Sequence, residues 1–124
     1  MKFFDSTSLI AQGITEPSLT RQYPFQRIPD QYQESLRKEL WGFSENSAGV
    51  SITFQTNSSQ IRLQWKIKLD FKMNHMANTG IKGLDLYQYK NNNWYYSSTG
   101  IPISKSNDEI LFENKKSKLR KFRL

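Results

Sequence analysis

IRLQWKIKL, residues 61–69, alternates apolar and polar side chains without a break. Successive side chains of an extended chain point to opposite faces. Ile61, Leu63, Trp65, Ile67 and Leu69 therefore line one face, and Arg62, Gln64, Lys66 and Lys68 the other. At helical spacing the same apolar residues would scatter round the cylinder. The stretch is a half-buried strand. Immediately upstream, residues 50–56 (VSITFQT) alternate in the same way, and Asn57-Ser58-Ser59 between the two runs is turn chemistry. The two runs are expected to form an antiparallel pair with one wet face.

Moving outward, further strands are expected at 84–89, 94–97, 109–113 and 118–124, with short ones at 25–28 and 40–43. Lys90-Asn91-Asn92-Asn93 reads as a hairpin turn, because Asn tolerates left-handed backbone. Only residues 30–40 offer a helix of a turn or two. Many short strands separated by Asn, Ser and Gly turns predict an all-β fold, an antiparallel β-sandwich of jelly-roll-like type. The run 118–124 starts a strand and stops without a turn signal. This is expected of a sandwich lacking its last strand or strands, with an exposed edge there.

The chain has 124 residues, 14% of them aromatic, which is enough for one domain with a packed core. No repeat or linker divides it, so residues 1–124 are read as a single domain. No apolar run approaches the ~18–20 residues that span a bilayer, and the start turns polar at Asp5, unlike a secretory signal. The compartment stays open. Without cysteine there is no disulfide framework, thiolate nucleophile or cysteine zinc site. The net charge of +7 is concentrated at the tail, where Lys115, Lys116, Lys118, Arg120, Lys121 and Arg123 stand. That tail alternates with Leu119 and Phe122 and matches no nucleic-acid motif, so it reads as a solvated strand face. Neither nucleic acid nor membrane is expected as a partner.

Three ordered stretches carry a resemblance. They are Trp41-Gly42-Phe43-Ser44 with Ser47-Ala48-Gly49-Val50 and Phe54-Gln55-Thr56-Asn57; then Met73-Asn74-His75-Met76-Ala77-Asn78-Thr79-Gly80; then Gly83-Leu84-Asp85-Leu86-Tyr87 with Trp94 and Thr99-Gly100. Together they resemble the amino-terminal β-sandwich domain of SGNH-type (GDSL-like) esterases, known by its Gly-x-Asp-Leu-Tyr motif. The resemblance implies a downstream α/β catalytic domain that hydrolyses an ester, such as one joining an acyl group to a carbohydrate. It implies no cofactor. The family's Gly-Asp-Ser-like nucleophile motif and its Asp-x-x-His motif are both absent from this chain. On this reading the chain is a non-catalytic accessory domain, and no catalytic residue is assigned. A free-standing carbohydrate-binding module is the alternative.

The candidate residues follow. His75, the only histidine, has two readings: a loop histidine that hydrogen-bonds backbone and fixes a bend, or a member of a sandwich-end loop, 70–82, facing the catalytic domain. In the second, Asn74, His75 and Met76 line the interface or the substrate site. Met73 and Met76 are otherwise expected to fill gaps under the loop. A lone histidine has no metal-ligand spacing, so no metal site is assigned. Gly83, Asp85 and Tyr87 form the structural motif. Asp85 and Tyr87 share the face opposite Leu84 and Leu86, and Asp85 is expected to accept hydrogen bonds from a neighbouring loop's N–H groups. Trp94 and Tyr95 are candidates for stacking on a sugar, with a packed hairpin as the commoner outcome for such a cluster.

Overall fold

A computed structural model describes residues 2–124, which fall into two units, one ending at Thr53 and the other running from Phe54 to Leu124. The first is mostly irregular. Its strand β1 (Ala11–Gln12) pairs antiparallel with the start of β2 (Ser51–Thr56), Ala11 opposite Ile52 and Gln12 opposite Ser51. Arg21 ties its loops together by donating to the carbonyls of Thr15, Glu16, Leu19 and Gln26. One guanidinium thereby satisfies acceptors that irregular backbone leaves without a ladder.

Two expectations fail in this unit and a third is met in shorter form. Residues 25–28 form no strand: the fully buried Gln26 amide donates to the Ile28 carbonyl and to Asp30, and such local bonds compete with sheet pairing. The helix expected at 30–40 is a 3-10 segment, Asp30–Ser35, that stops before Leu36. Residues 40–43 are not a strand but the middle of helix α1 (Lys38–Ser44), whose Trp41 N–H bonds the Arg37 carbonyl. Periodicity cannot separate helix from strand over four residues.

The second unit begins with residues 54–56 of β2 and continues with β3 (Gln60–Lys66), α2 (Asn78–Lys82), β4 (Leu84–Lys90), β5 (Asn93–Gly100), β6 (Ser106–Glu113) and β7 (Arg120–Arg123). One sheet has the order β2-β7-β4-β5 and the other is the antiparallel ribbon β3-β6. This is a β-sandwich. Asn91 and Asn92, at φ 48° and 63°, make the expected tight turn between β4 and β5. The expected hairpin between 50–56 and 61–69 does not form. Residues 57–59 carry the chain from one sheet to the other, and β3 pairs with β6 from Gln60↔Glu113 to Lys66↔Ser106. Two half-buried strands can cover their apolar faces across a sandwich as well as side by side, and alternation alone does not choose.

Leu86 and Phe122, both 0% exposed, and Leu111 centre the core, with Phe54, Ile61, Leu63, Phe112 and Leu124 packed round them. The Phe122 ring lies between Phe54, stacked at 5.8 Å, and Phe112, edge-on at 5.0 Å. Phe122 holds this position because β7 is an interior strand, beside β2 and paired with β4 through Tyr87↔Arg123, Gln88↔Phe122 and Tyr89↔Lys121. The exposed edge expected at 118–124 is therefore not there. Two register shifts break the ladders: Ser97 in β5 and Leu111 in β6 have no opposite residue.

Candidate functional site

At one end of the second unit, β3 runs out after Lys66, three residues earlier than the alternation suggests, and the Ile67 N–H bonds the Lys105 carbonyl at 2.8 Å. The chain then enters the 70–82 loop. Lys82, at the end of α2, is ion-paired with Asp70, and that bond and charge hold the Asp70 carboxyl below its ordinary range. The loop is clasped at its base. Met73 and Met76 form an isolated antiparallel bridge that puts Asn74 and His75 at the turn tip. His75 Nδ1 lies 3.1 Å from the Asn74 side-chain oxygen, so its partner is a side chain and not the backbone. Met73 and Met76 are 38% and 46% exposed, and the Met76 Cγ and Sδ lie over Gly80 of α2, 3.2 and 3.5 Å from where a Cβ there would stand.

Gly83 follows α2 directly. Its N–H donates to the Thr79 carbonyl at 3.0 Å, and a Cβ at Gly83 would meet that same oxygen and lie 2.9 Å from the Gly100 carbonyl. Its φ of −79° suits any residue, so crowding by backbone on two sides is what demands glycine here. Asp85 is exposed, and its partner is not a loop N–H. The Thr99 hydroxyl, opposite it on β5, donates to the carboxylate at 2.5 Å. With its proton committed, Thr99 accepts from the Tyr96 hydroxyl at 2.9 Å. Tyr87 meets Tyr96 edge-on at 6.0 Å. As read from the sequence, Asp85 and Tyr87 point away from the core that buries Leu86.

Trp94 and Tyr95 do not share a surface. Trp94 pairs with the outward Tyr89 and Tyr95 with the inward Gln88, so the two rings point to opposite faces of β5. Trp94 instead joins Tyr89 at 5.0 Å, under the Arg123 guanidinium at 4.2 Å and Lys121 at 5.8 Å. Sequence reading missed Lys121 and Arg123 as members of this group. Their alternation with Phe122 marks them as outward, but only the β4–β7 register brings them to the aromatic rings.

Among the described residues His75 has no hydroxyl or carboxylate partner that could make it the base of a nucleophile. No group of three or more His, Cys, Asp or Glu side chains among them is placed to hold a metal ion. A cleft of about 360 Å³ in the first unit, lined by Leu9, Ile14, Leu19, Arg21 and Phe25, contains none of the candidate residues.

The family model described as GxDLY, the N-terminus of SGNH-hydrolase-type esterases, matches residues 1–124. The chain belongs to the GxDLY family. Gly83, Asp85, Leu86 and Tyr87 are the lettered positions of its motif. The crystal structure of a Bacteroides ovatus protein described as a GDSL-like lipase has a similar fold, with a TM-score of 0.85 at 24% identity. The match covers 95% of the GxDLY chain and 34% of the Bacteroides chain, so the present domain spans about a third of that protein. No curated protein matches significantly.

Proposed function

We propose that this GxDLY domain is the non-catalytic accessory domain of an SGNH hydrolase-type esterase. It packs on a downstream catalytic domain and helps shape that domain's acyl or carbohydrate ester site through the 70–82 loop. The observation that carries this reading is a set of exposed apolar side chains on ordered backbone. Leu69, Phe71, Met73 and Met76 stand 60%, 40%, 38% and 46% exposed on a segment held by the Asp70–Lys82 pair, the Met73–Met76 bridge and α2. Ile101 and Ile103, 55% and 88% exposed, extend the set across the 101–105 loop, which the Ile67–Lys105 bond ties to it. A patch of this kind on a fixed frame fits a surface that another domain covers. Asn74 and His75 at the tip then supply polar groups to the ester site, while the nucleophile and its base come from the catalytic domain.

The test uses the intact esterase and the isolated domain together. Asn74→Ala and His75→Ala in the intact protein are expected to lower kcat/KM on an acylated saccharide by about tenfold, with folding unchanged. The isolated domain is expected to show no saturable hydrolysis of aryl acetates. Unaltered kinetics in both variants, or saturable turnover by the domain alone that vanishes with His75→Ala, would sink this reading.

A further inference from the structure

Away from the 70–82 loop, the outer face of β7-β4-β5 carries an arrangement of its own. Register places Arg123, Tyr87 and Tyr96 in one cross-strand row and Lys121, Tyr89 and Trp94 in the next, with Asp85 and Thr99 beyond them. Arg123 sits over the Trp94 ring, and Lys121 lies 5.1 Å from the centre of Tyr89. Among the described residues neither cation has a carboxylate at ion-pair distance, and Arg123 Nε is buried without an acceptor. Tyr89 and Tyr96 are 36% and 61% exposed, and no aliphatic side chain enters these rows.

We infer that this face binds an acidic saccharide, a chain of sugar rings bearing carboxylates. Exposed aromatic rings accept the apolar C–H faces of sugars, and the Tyr96 and Thr99 hydroxyls, their protons committed in the chain that ends on the Asp85 carboxylate, offer acceptor lone pairs to sugar hydroxyls beside them. The two cations, already steadied against rings, lose little further freedom on pairing with a carboxylate. A neutral saccharide would leave both cations unanswered. A protein partner fits less well, since the centre of a protein interface is depleted in lysine and this face sets Lys121 among its rings. β4 also gives direction. From Tyr89 to Gly83 the strand advances six residues, roughly 20 Å, so a saccharide laid along it from the Trp94 row leads toward the 70–82 loop. The inference goes beyond the accessory-domain reading and does not need it, because every residue involved belongs to this chain.

Calorimetric titration of the domain tests it, with a galacturonate hexamer, a neutral glucose hexamer and a single-stranded oligothymidylate as probes. The uronate is expected to bind at least about tenfold more tightly than the neutral hexamer and more tightly than the oligonucleotide. Arg123→Gln and Lys121→Gln are each expected to weaken it by about fivefold with an unchanged melting temperature, and Tyr96→Ala by a similar factor. Two separate cation variants guard against one that fails to fold. Absence of heat with the uronate at millimolar concentration overturns the inference. So does equal binding of the two hexamers, tighter binding of the oligonucleotide, or a folded Arg123→Gln that binds as before. None of these results bears on the kinetics of the Asn74 and His75 variants, so the two readings fail independently.

Discussion

The Ser98 hydroxyl donates to the Leu111 carbonyl at 2.5 Å, joining the two sheets of the second unit beside their irregular positions. Leu111 is the residue of β6 that β3 leaves unpaired, and Ser97 is its counterpart in β5. A bulge withdraws a backbone carbonyl from the ladder, and here a side chain from the facing sheet takes it. Ser98→Ala is therefore expected to cost about 1–2 kcal/mol, the penalty for leaving a part-buried acceptor without its donor. Urea melts should show a lower midpoint at unchanged slope.

Gly83→Ala and Gly100→Ala are expected to destabilise by different amounts. A Cβ at Gly83 meets backbone oxygens on two sides, whereas one at Gly100 lies 2.9 Å from the edge of the Trp65 ring. A ring can shift by tenths of an ångström more easily than the backbone of a helix and a strand. The expected cost is about 1–3 kcal/mol for Gly100→Ala and the upper end of that range or more for Gly83→Ala. Equal melts for the two variants would contradict the crowding argument.

Asp85→Ala is expected to cost less than about 1 kcal/mol, as exposed substitutions usually do. Its partner is one exposed hydroxyl and not a set of buried N–H groups. Leu86→Ala and Phe122→Ala, which open cavities at fully buried positions, are expected to cost about 3–5 kcal/mol. Within one motif, the apolar residue outweighs the carboxylate. Parallel denaturation of the three variants checks the order.

The acid limb of stability should carry the signature of Asp108. Hydrogen bonds from Arg62 and Gln64, with the charge of Arg62, hold its carboxyl below the ordinary range. A carboxyl depressed in the folded state adds stability above the unfolded value of about 4 and loses it as pH falls through the lower folded value. Asp108→Asn should flatten the dependence of melting temperature on pH below about pH 4 and leave its shape near neutrality unchanged. Asp70 is depressed in the same direction by Lys82. Acid should therefore also release the 70–82 loop, read as faster amide exchange there.

Sequence reading succeeded where one physical rule acts locally. Alternation found β2 to β7 to within a few residues, and the asparagines at 91 and 92 announced their turn. The motif carrying Gly83 and Asp85 led to the family. It failed where the outcome depends on distant partners. Whether β3 lies beside β2 or across from it is decided by β6, whose residues follow their β3 partners by forty or more positions. The environments of Trp94 and Asp85 depend on the β4–β5 and β4–β7 registers, and the Ser97 shift alters the first of these. The failures at 25–28 and 40–43 have another cause, since runs of four residues are too short for a period to show.

The interior place of β7 has a consequence for how the domain is made. Seventh in order of synthesis, β7 stands between the second strand and the fourth, and it brings Phe122 to the centre of the core. Until residues 120–123 have cleared the ribosome, Phe54 and Leu86 have nothing between them to pack on. A nascent chain that has extended through β6 should therefore remain open and sticky, dependent on chaperones, and close only when β7 slots into the gap.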